Sequence, residues 1–186
     1  MGNALSELRE RIMKITKKMP REQLEQHIVE FIKSHNMCVL STSKDDIPRA
    51  TPIWYNSEGT TIYMAADEGT TKLDNLRVNP RISIGIHDPR PSAKSIKGIQ
   101  ITGEPTLITD GNPEYEEALR IYQFQERTKK VAEQMAELLG MEPPEETGES
   151  KPPKDMAMIK IEAKKIALIE TTLLQRGYAA EQVWEA

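Results

Sequence analysis

The sequence predicts a mainly β fold, a barrel or sandwich of roughly six antiparallel strands with flanking helices. Three observations predict it. Two stretches with helical spacing occupy residues 1–36, short β-rich runs separated by turn residues fill 37–110, and strand character returns in 155–186 after a helical, then acidic, insertion at 112–154. A chain of 186 residues is read as one domain, because that length carries one good core and is short for two.

The elements follow in order. Leu5, Leu8, Ile12, Ile15 and Met19 recur every three or four residues, which predicts an amphipathic helix ended by Pro20. A second helix carries Leu24, Ile28, Phe31 and Ile32 on one face, with Asn36 as a left-handed stop. From Met37 the pattern becomes a meander of hairpins: 37–43, a turn at 44–48, 49–56, a turn at 57–59, and 60–66. A short helical segment at 70–79 interrupts it before strands at 81–88 and 97–109. Residues 112–139 read as helical, with Leu119, Tyr122, Val131, Met135 and Leu138 as the apolar set. The acidic, proline-rich stretch 140–155 reads as an exposed loop, and 156–172 as two closing strands followed by a C-terminal tail.

Composition removes several function classes. With 25 basic against 29 acidic residues and a net charge of −4, no basic face is available for a nucleic-acid backbone. Apolar runs such as Met37–Leu40 are far below the roughly 20 residues of a membrane span. The first residues mix charge with apolar groups, unlike a signal peptide, so a cytoplasmic location is expected. Gly2 and Ser6 fit a minimal myristoylation pattern that matters only in a eukaryotic cell. The lone Cys38 lies in an apolar run and reads as packing, while His27, His35 and His87 lack metal-ligand spacing. Trp54 and Tyr55 read as barrel core, and no nucleophile elbow, P-loop or dinucleotide fingerprint is present.

The chemistry concentrates between Arg49 and Pro80. Glu68-Gly69-Thr70-Thr71-Lys72 opens a short helix, whose exposed N–H groups and positive dipole end suit a phosphate; Thr70, Thr71, Lys72 and Arg49 add donors and charge. The same residues also describe a plain helix cap with a solvated lysine.

The run Arg49-Ala50-Thr51-Pro52-Ile53, Ile62-Tyr63-Met64-Ala65, Thr70-Thr71-Lys72, Asn75-Leu76-Arg77 and Asn79-Pro80-Arg81, followed by Ile99 to Pro105, resembles the pyridoxamine 5′-phosphate oxidase-like split-barrel flavoproteins. The resemblance covers roughly residues 30–110, and 156–171 resembles the family's closing hairpin. It implies an FMN-binding split β-barrel. Arg49 and Lys72 would contact the FMN phosphate, assisted by Thr70 and Thr71; the backbone of Ala50, Thr51, Pro52 and Ile53 would follow the isoalloxazine ring; Met64 and Ala65 would line the pocket. It further implies a homodimer with FMN at the subunit interface, the partner's wall coming from Gly98 to Gln100 and from Trp184.

Two departures set the chain apart from the true oxidase subfamily. The chain ends Gln182-Val183-Trp184-Glu185-Ala186 instead of in a basic, proline-containing tail, and Gly98 stands where that subfamily carries a flavin-contacting glutamine, so that contact is either absent or supplied by Gln100. Asp67 and Glu68 place negative charge beside the phosphate position. The implied activity is hydride transfer between reduced nicotinamide and a small organic substrate, performed by the flavin with no catalytic side chain assigned. The alternatives are a deazaflavin- or haem-binding protein, with His87 as the haem candidate, and a non-enzymatic flavin-binding, stress-associated module.

Overall fold

The computed structural model describes residues 2–89, 92, 94–142 and 150–186. Helix α1 (Gly2–Met13) ends earlier than its apolar spacing predicts, and Ile15 and Met19 lie beyond it. Pro20 caps α2 (Arg21–Lys33) instead, with φ −55° ready for a helix start. Helix α2 buries Leu24, Ile28, Phe31 and Ile32, as its spacing predicts. Its stop is right-handed Ser34; Asn36 has no positive φ.

Among the described residues eight strands follow: β1 (Met37–Lys44), β2 (Ile47–Trp54), β3 (Asn56–Glu58), β4 (Thr61–Asp67), β5 (Ser83–His87), β6 (Lys97–Ile108), β7 (Met156–Glu170) and β8 (Glu181–Glu185). Helix α3 (Thr71–Val78) sits between β4 and β5, and α4 (Tyr115–Tyr122) and α5 (Phe124–Leu139) between β6 and β7. The sheet runs β2-β1-β5-β6-β7-β4-β3, with β8 also on β7, and its pairings are antiparallel. This is the mainly β half-barrel with flanking helices expected for a split barrel. The strands that the sequence does not predict are three-residue β3 and β8, which forms where a tail is predicted.

The β1–β2 hairpin turns on Asp45 and Asp46, whose φ values of 52° and 59° fit a two-residue turn with both central residues left-handed. Residues 156–172 do not form a hairpin. They make one 15-residue strand, β7, because nothing between Met156 and Glu170 breaks it. Along one edge β7 pairs with β6; along the other, 156–162 pair with β4 and 165–169 with β8. The changeover coincides with a bulge in β7, where Lys164 is left unpaired opposite Thr102/Gly103 of β6. A Cβ on Gly103 would stand 2.2 Å from the Glu162 carbonyl, so only glycine allows the strands to meet there.

One core fills the barrel under α2, around Ile28, Leu40, Tyr55, Ile101 and Ile161. A second lies outside β4 and β7, where Tyr63, Ile108 and Met158 meet Tyr115, Leu119 and Phe124 of α4 and α5. The acidic loop expected at 140–155 falls partly outside the described residues, at 143–149. Among the described residues no helix is long and apolar enough to cross a membrane.

Candidate cofactor site

The sheet ends at β2 on one side and β3 on the other, and the curl of the barrel brings β2 near β4 without a hydrogen-bonded ladder between them. That leaves an opening beside β2. Strand alternation divides β2: Arg49, Thr51 and Ile53 lie opposite Thr42, Leu40 and Cys38, which are buried, while Ala50 and Pro52 face outward.

Buried amides place α3 at this opening. The Asn75 side-chain amide, 3% exposed, donates to the Thr42 hydroxyl at 3.0 Å, at the register of Arg49. Asn79 donates to Ser43 at 2.9 Å and accepts from the Arg81 N–H at 3.1 Å. The Asn-Leu-Arg and Asn-Pro-Arg signature is thus a pair of fasteners holding α3 across β1. Lys72 stands one turn before Asn75 on the same helix face.

The start of α3 is left open for an acceptor. Thr70 is the N-cap residue, but its hydroxyl donates to the Asp67 carbonyl at 2.8 Å and makes no side-chain cap; its carbonyl accepts from the Leu73 N–H at 3.0 Å, and the Thr71 and Lys72 N–H groups gain no partner from its side chain. The Glu68 charge is taken up locally: both its carboxylate oxygens lie 2.6 Å from Arg77 Nη2, and this hydrogen bond raises the Arg77 guanidinium above its ordinary value. Arg49 and the start of α3, with Thr70, Thr71 and Lys72, are linked through Thr42, which pairs with Arg49 and accepts from Asn75.

Two expectations about the pocket wall are corrected. Met64 is fully buried in the barrel core, whereas Ala65 packs on the second cluster, so their side chains lie on opposite faces of β4 and do not line one pocket. Trp184 is 6% exposed, and its indole N–H donates to Glu25 Oε2 at 2.9 Å. The alternation of β8 turns Gln182 and Trp184 inward beneath α2, which removes Trp184 as a wall for a partner chain.

Gln100 is exposed on the outer face, within a row that crosses six strands in register: Pro52, Val39, Gly85, Gln100, Ala167 and Val183. Gln100 is the one polar side chain in it. Trp54 is 42% exposed instead of core; Tyr55 is fully buried, its hydroxyl donating to the Ile32 carbonyl at 2.7 Å.

Sequence reasoning missed Arg127, which carries no spacing signal on α5. Its Nε donates to the Tyr122 carbonyl at 2.9 Å, its Nη2 to the Tyr55 carbonyl at 2.7 Å and to Asn56, and its guanidinium lies over the Tyr122 and Trp54 rings. It borders a cavity of about 510 Å³ together with Lys33, Asn56, Gln123 and Lys130, and a smaller one reaches Trp54. A third cavity, about 450 Å³ and mainly apolar, is lined by Val39, Pro52, Gly85 and His87. The buried Cys38 thiol beside it is pushed up to about 12 by desolvation. Among the described residues no group of His, Cys, Asp or Glu is placed to hold a metal ion.

Residues 24–170 match the family model described as pyridoxamine 5′-phosphate oxidase. The chain belongs to the pyridoxamine 5′-phosphate oxidase family. Solved structures agree on the fold. A conserved hypothetical protein from Mycobacterium tuberculosis superposes with a TM-score of 0.59 at 20% identity, covering 86% of this chain and 93% of that one. A pyridoxamine 5′-phosphate oxidase-related, FMN-binding protein from Nostoc punctiforme gives 0.56 at 16% identity, over 82% and 84%. A heme-binding protein from Mycobacterium smegmatis gives 0.57 at 15% identity, over 84% and 57%. No curated protein matches the chain. In the family's frame the match takes in β1 to β7 and α3; α1 and β8 lie outside it.

Proposed function

We propose that this member of the pyridoxamine 5′-phosphate oxidase family binds FMN at the opening between β2 and β4 and transfers hydride between reduced nicotinamide and a small organic substrate. The observation that carries the reading is the uncapped start of α3, fastened by Asn75 to Thr42 in register with Arg49. Two cations, the Thr71 hydroxyl and free helix N–H groups suit a dianionic phosphate, and Arg77 reduces the repulsion by holding Glu68. Strand β2 pairs only with β1 in the sheet, so its outer edge leaves peptide groups for the pyrimidine edge of a flavin ring. Once bound, the flavin supplies the redox chemistry itself. The chain's part is to hold, orient and partly desolvate it.

The larger cavity beside Arg127 is polar, with Lys33, Arg127 and Lys130 against Glu126, which favours a small anionic organic substrate. The row from Pro52 to Val183, flanked by exposed Met37, Trp54 and Ile169, favours a homodimer through this sheet face, with the cofactor at the interface. Reduced nicotinamide as donor fits a cytoplasmic protein.

A second reading has one observation in its favour. The apolar cavity lined by Val39, Pro52 and Gly85 has the exposed His87 at its edge, with Nδ1 bonded to the Asp88 carbonyl at 2.9 Å and Nε2 left for a haem iron.

The test is the visible spectrum of the protein after incubation with FMN and desalting, followed by anaerobic addition of NADPH or NADH. Retained flavin bands that bleach with nicotinamide are expected. Failure to retain flavin, with a haem or deazaflavin spectrum instead, sinks the FMN reading; retained flavin that nicotinamide never bleaches leaves a non-enzymatic module.

A further inference from the structure

A small slot opens where the end of β2 faces α5. About 180 Å³ in volume, it is lined by Trp54 of β2, by Asn36 just before β1, and by Arg127, Lys130, Val131 and Gln134, which fall on one face of α5 through spacings of three and four. Among the described residues no acidic side chain lines it; Glu126 borders the larger cavity that shares Asn36, Arg127 and Lys130 with it.

Arg127 is already fixed at the wall of this slot. Its Nε and Nη2 are spent on the Tyr122 and Tyr55 carbonyls and on Asn56, and its guanidinium carbon lies 4.8 Å from the Tyr122 ring centre and 5.7 Å from that of Trp54. Nη1 alone has no hydrogen-bond partner among the described residues. A guanidinium held in place by other bonds gives up little freedom when it takes an anion.

The donors suit a carboxylate better than a phosphate. Nη1 and the Lys130 ammonium can each take one carboxylate oxygen, and Asn36 and Gln134 add amides. Lys130 and Gln134 stand in the middle of α5 (Phe124–Leu139), where backbone N–H groups are bonded within the helix, so the slot lacks the free N–H groups that the start of α3 offers a phosphate. Glu126 in the adjoining cavity opposes a second negative charge. The apolar walls set the rest of the ligand. The Trp54 indole, 42% exposed, and Val131 give a flat ring surfaces to pack on. A cavity of about 150 Å³ holds one benzene, so the slot has room for a single ring and its carboxylate.

We infer that the slot between Trp54 and Arg127 binds a single-ring aromatic carboxylate, with the ring on Trp54 and the carboxylate between Arg127 Nη1 and Lys130. The inference rests on the reading of the substrate as a small organic anion and narrows it. Trp54 follows directly on Ile53, so a ring held there lies at the end of the strand proposed to carry the flavin.

The experiment titrates the isotope-labelled full chain, before any flavin is added, with benzoate and follows the two indole N–H resonances. Trp54→Phe assigns them, and Trp184, buried and bonded to Glu25, serves as the internal reference. The Trp54 resonance is expected to shift and saturate while that of Trp184 stays, with benzamide and phenyl phosphate binding weaker by about tenfold or more. Lys130→Gln, at an exposed position, should weaken benzoate by about two- to fivefold. Arg127→Gln should weaken it by about tenfold or more. Lys130→Gln decides if Arg127→Gln loses the parent's circular dichroism. A Trp54 resonance that does not move, phenyl phosphate binding as tightly as benzoate, or parent-like affinity in Lys130→Gln overturns the inference. A protein that binds benzoate in this way but retains no flavin overturns the cofactor reading and leaves the slot standing.

Discussion

Lys72 and Asn75 lie three residues apart on α3 and have different roles, which mutation separates. Lys72 is half-exposed and its loss leaves nothing buried unpaired, so Lys72→Ala should leave the denaturation midpoint nearly unchanged. By removing one charge-assisted contact it should weaken FMN binding by about 1.5–3 kcal/mol, roughly 10- to 150-fold, in a titration followed by flavin fluorescence. Asn75 is buried against an equally buried Thr42 hydroxyl. Asn75→Ala should cost about 1–3 kcal/mol of folding stability in urea, because it strands that hydroxyl, and should loosen FMN as α3 shifts. The motif containing both residues was legible in the sequence, but their division of labour was not. Nothing in a linear motif distinguishes a fastener from a ligand contact until the partner strand is known. Trp184 shows the same limit. An aromatic near the chain end was read as a wall for the partner, and only the placement of β8 under α2 shows that Glu25 already takes its N–H.

At the scale of elements, the meander from β1 to β6 was legible because turn residues punctuate it; the turn at Asp45 and Asp46 and the interruption at α3 fall where the pattern puts them. Strand β7 was misread as a hairpin because it exchanges β4 for β8 along one edge, which leaves no turn signal in its own sequence. Its end carries a charged cluster that equally escaped notice. Glu170, 7% exposed, lies 2.6 Å from His27 Nε2, 2.9 Å from Lys97 Nζ and 2.5 Å from the Thr172 hydroxyl, tying α2, β6 and the following 3₁₀ turn to the end of β7. Burial opposes ionisation, but the bonds from Thr172, His27 and Lys97 outweigh it and hold the carboxyl below its ordinary 4.5. A carboxyl depressed by folding stabilises the native state above its unfolded value and loses that contribution as pH falls through the folded one. Stability should therefore decline as pH drops below about 4.5, and Glu170→Gln should flatten that decline while lowering stability at neutral pH. Thermal melts of both proteins across pH 3 to 7 check it; parallel curves would mean that other carboxylates govern the acid limb.

Among the described residues three apolar surfaces reach solvent: the row across the outer sheet face, the α1 stripe and the exposed Met135, Leu138 and Leu139 of α5. Composition gave no hint of them, since 38% hydrophobic residues is ordinary and their exposure depends on which strands become neighbours. The sheet row is the one that bears on the cofactor, because Pro52 stands in it while its neighbours Arg49 and Thr51 face the opening. If two copies pair through this row, a flavin along β2 is enclosed by the second copy, and dimerisation and cofactor retention become linked equilibria. Val183 lies at the far end of the row, 47% exposed and opposite Ala167, remote in strand order from β2. Val183→Glu buries a charge in the two-fold contact without entering the monomer core. It should shift sedimentation from dimer towards monomer and reduce FMN retained after desalting in the same proportion, while added FMN restores part of the dimer. A variant that becomes monomeric yet retains FMN as tightly as the parent would place the cofactor site wholly within one chain.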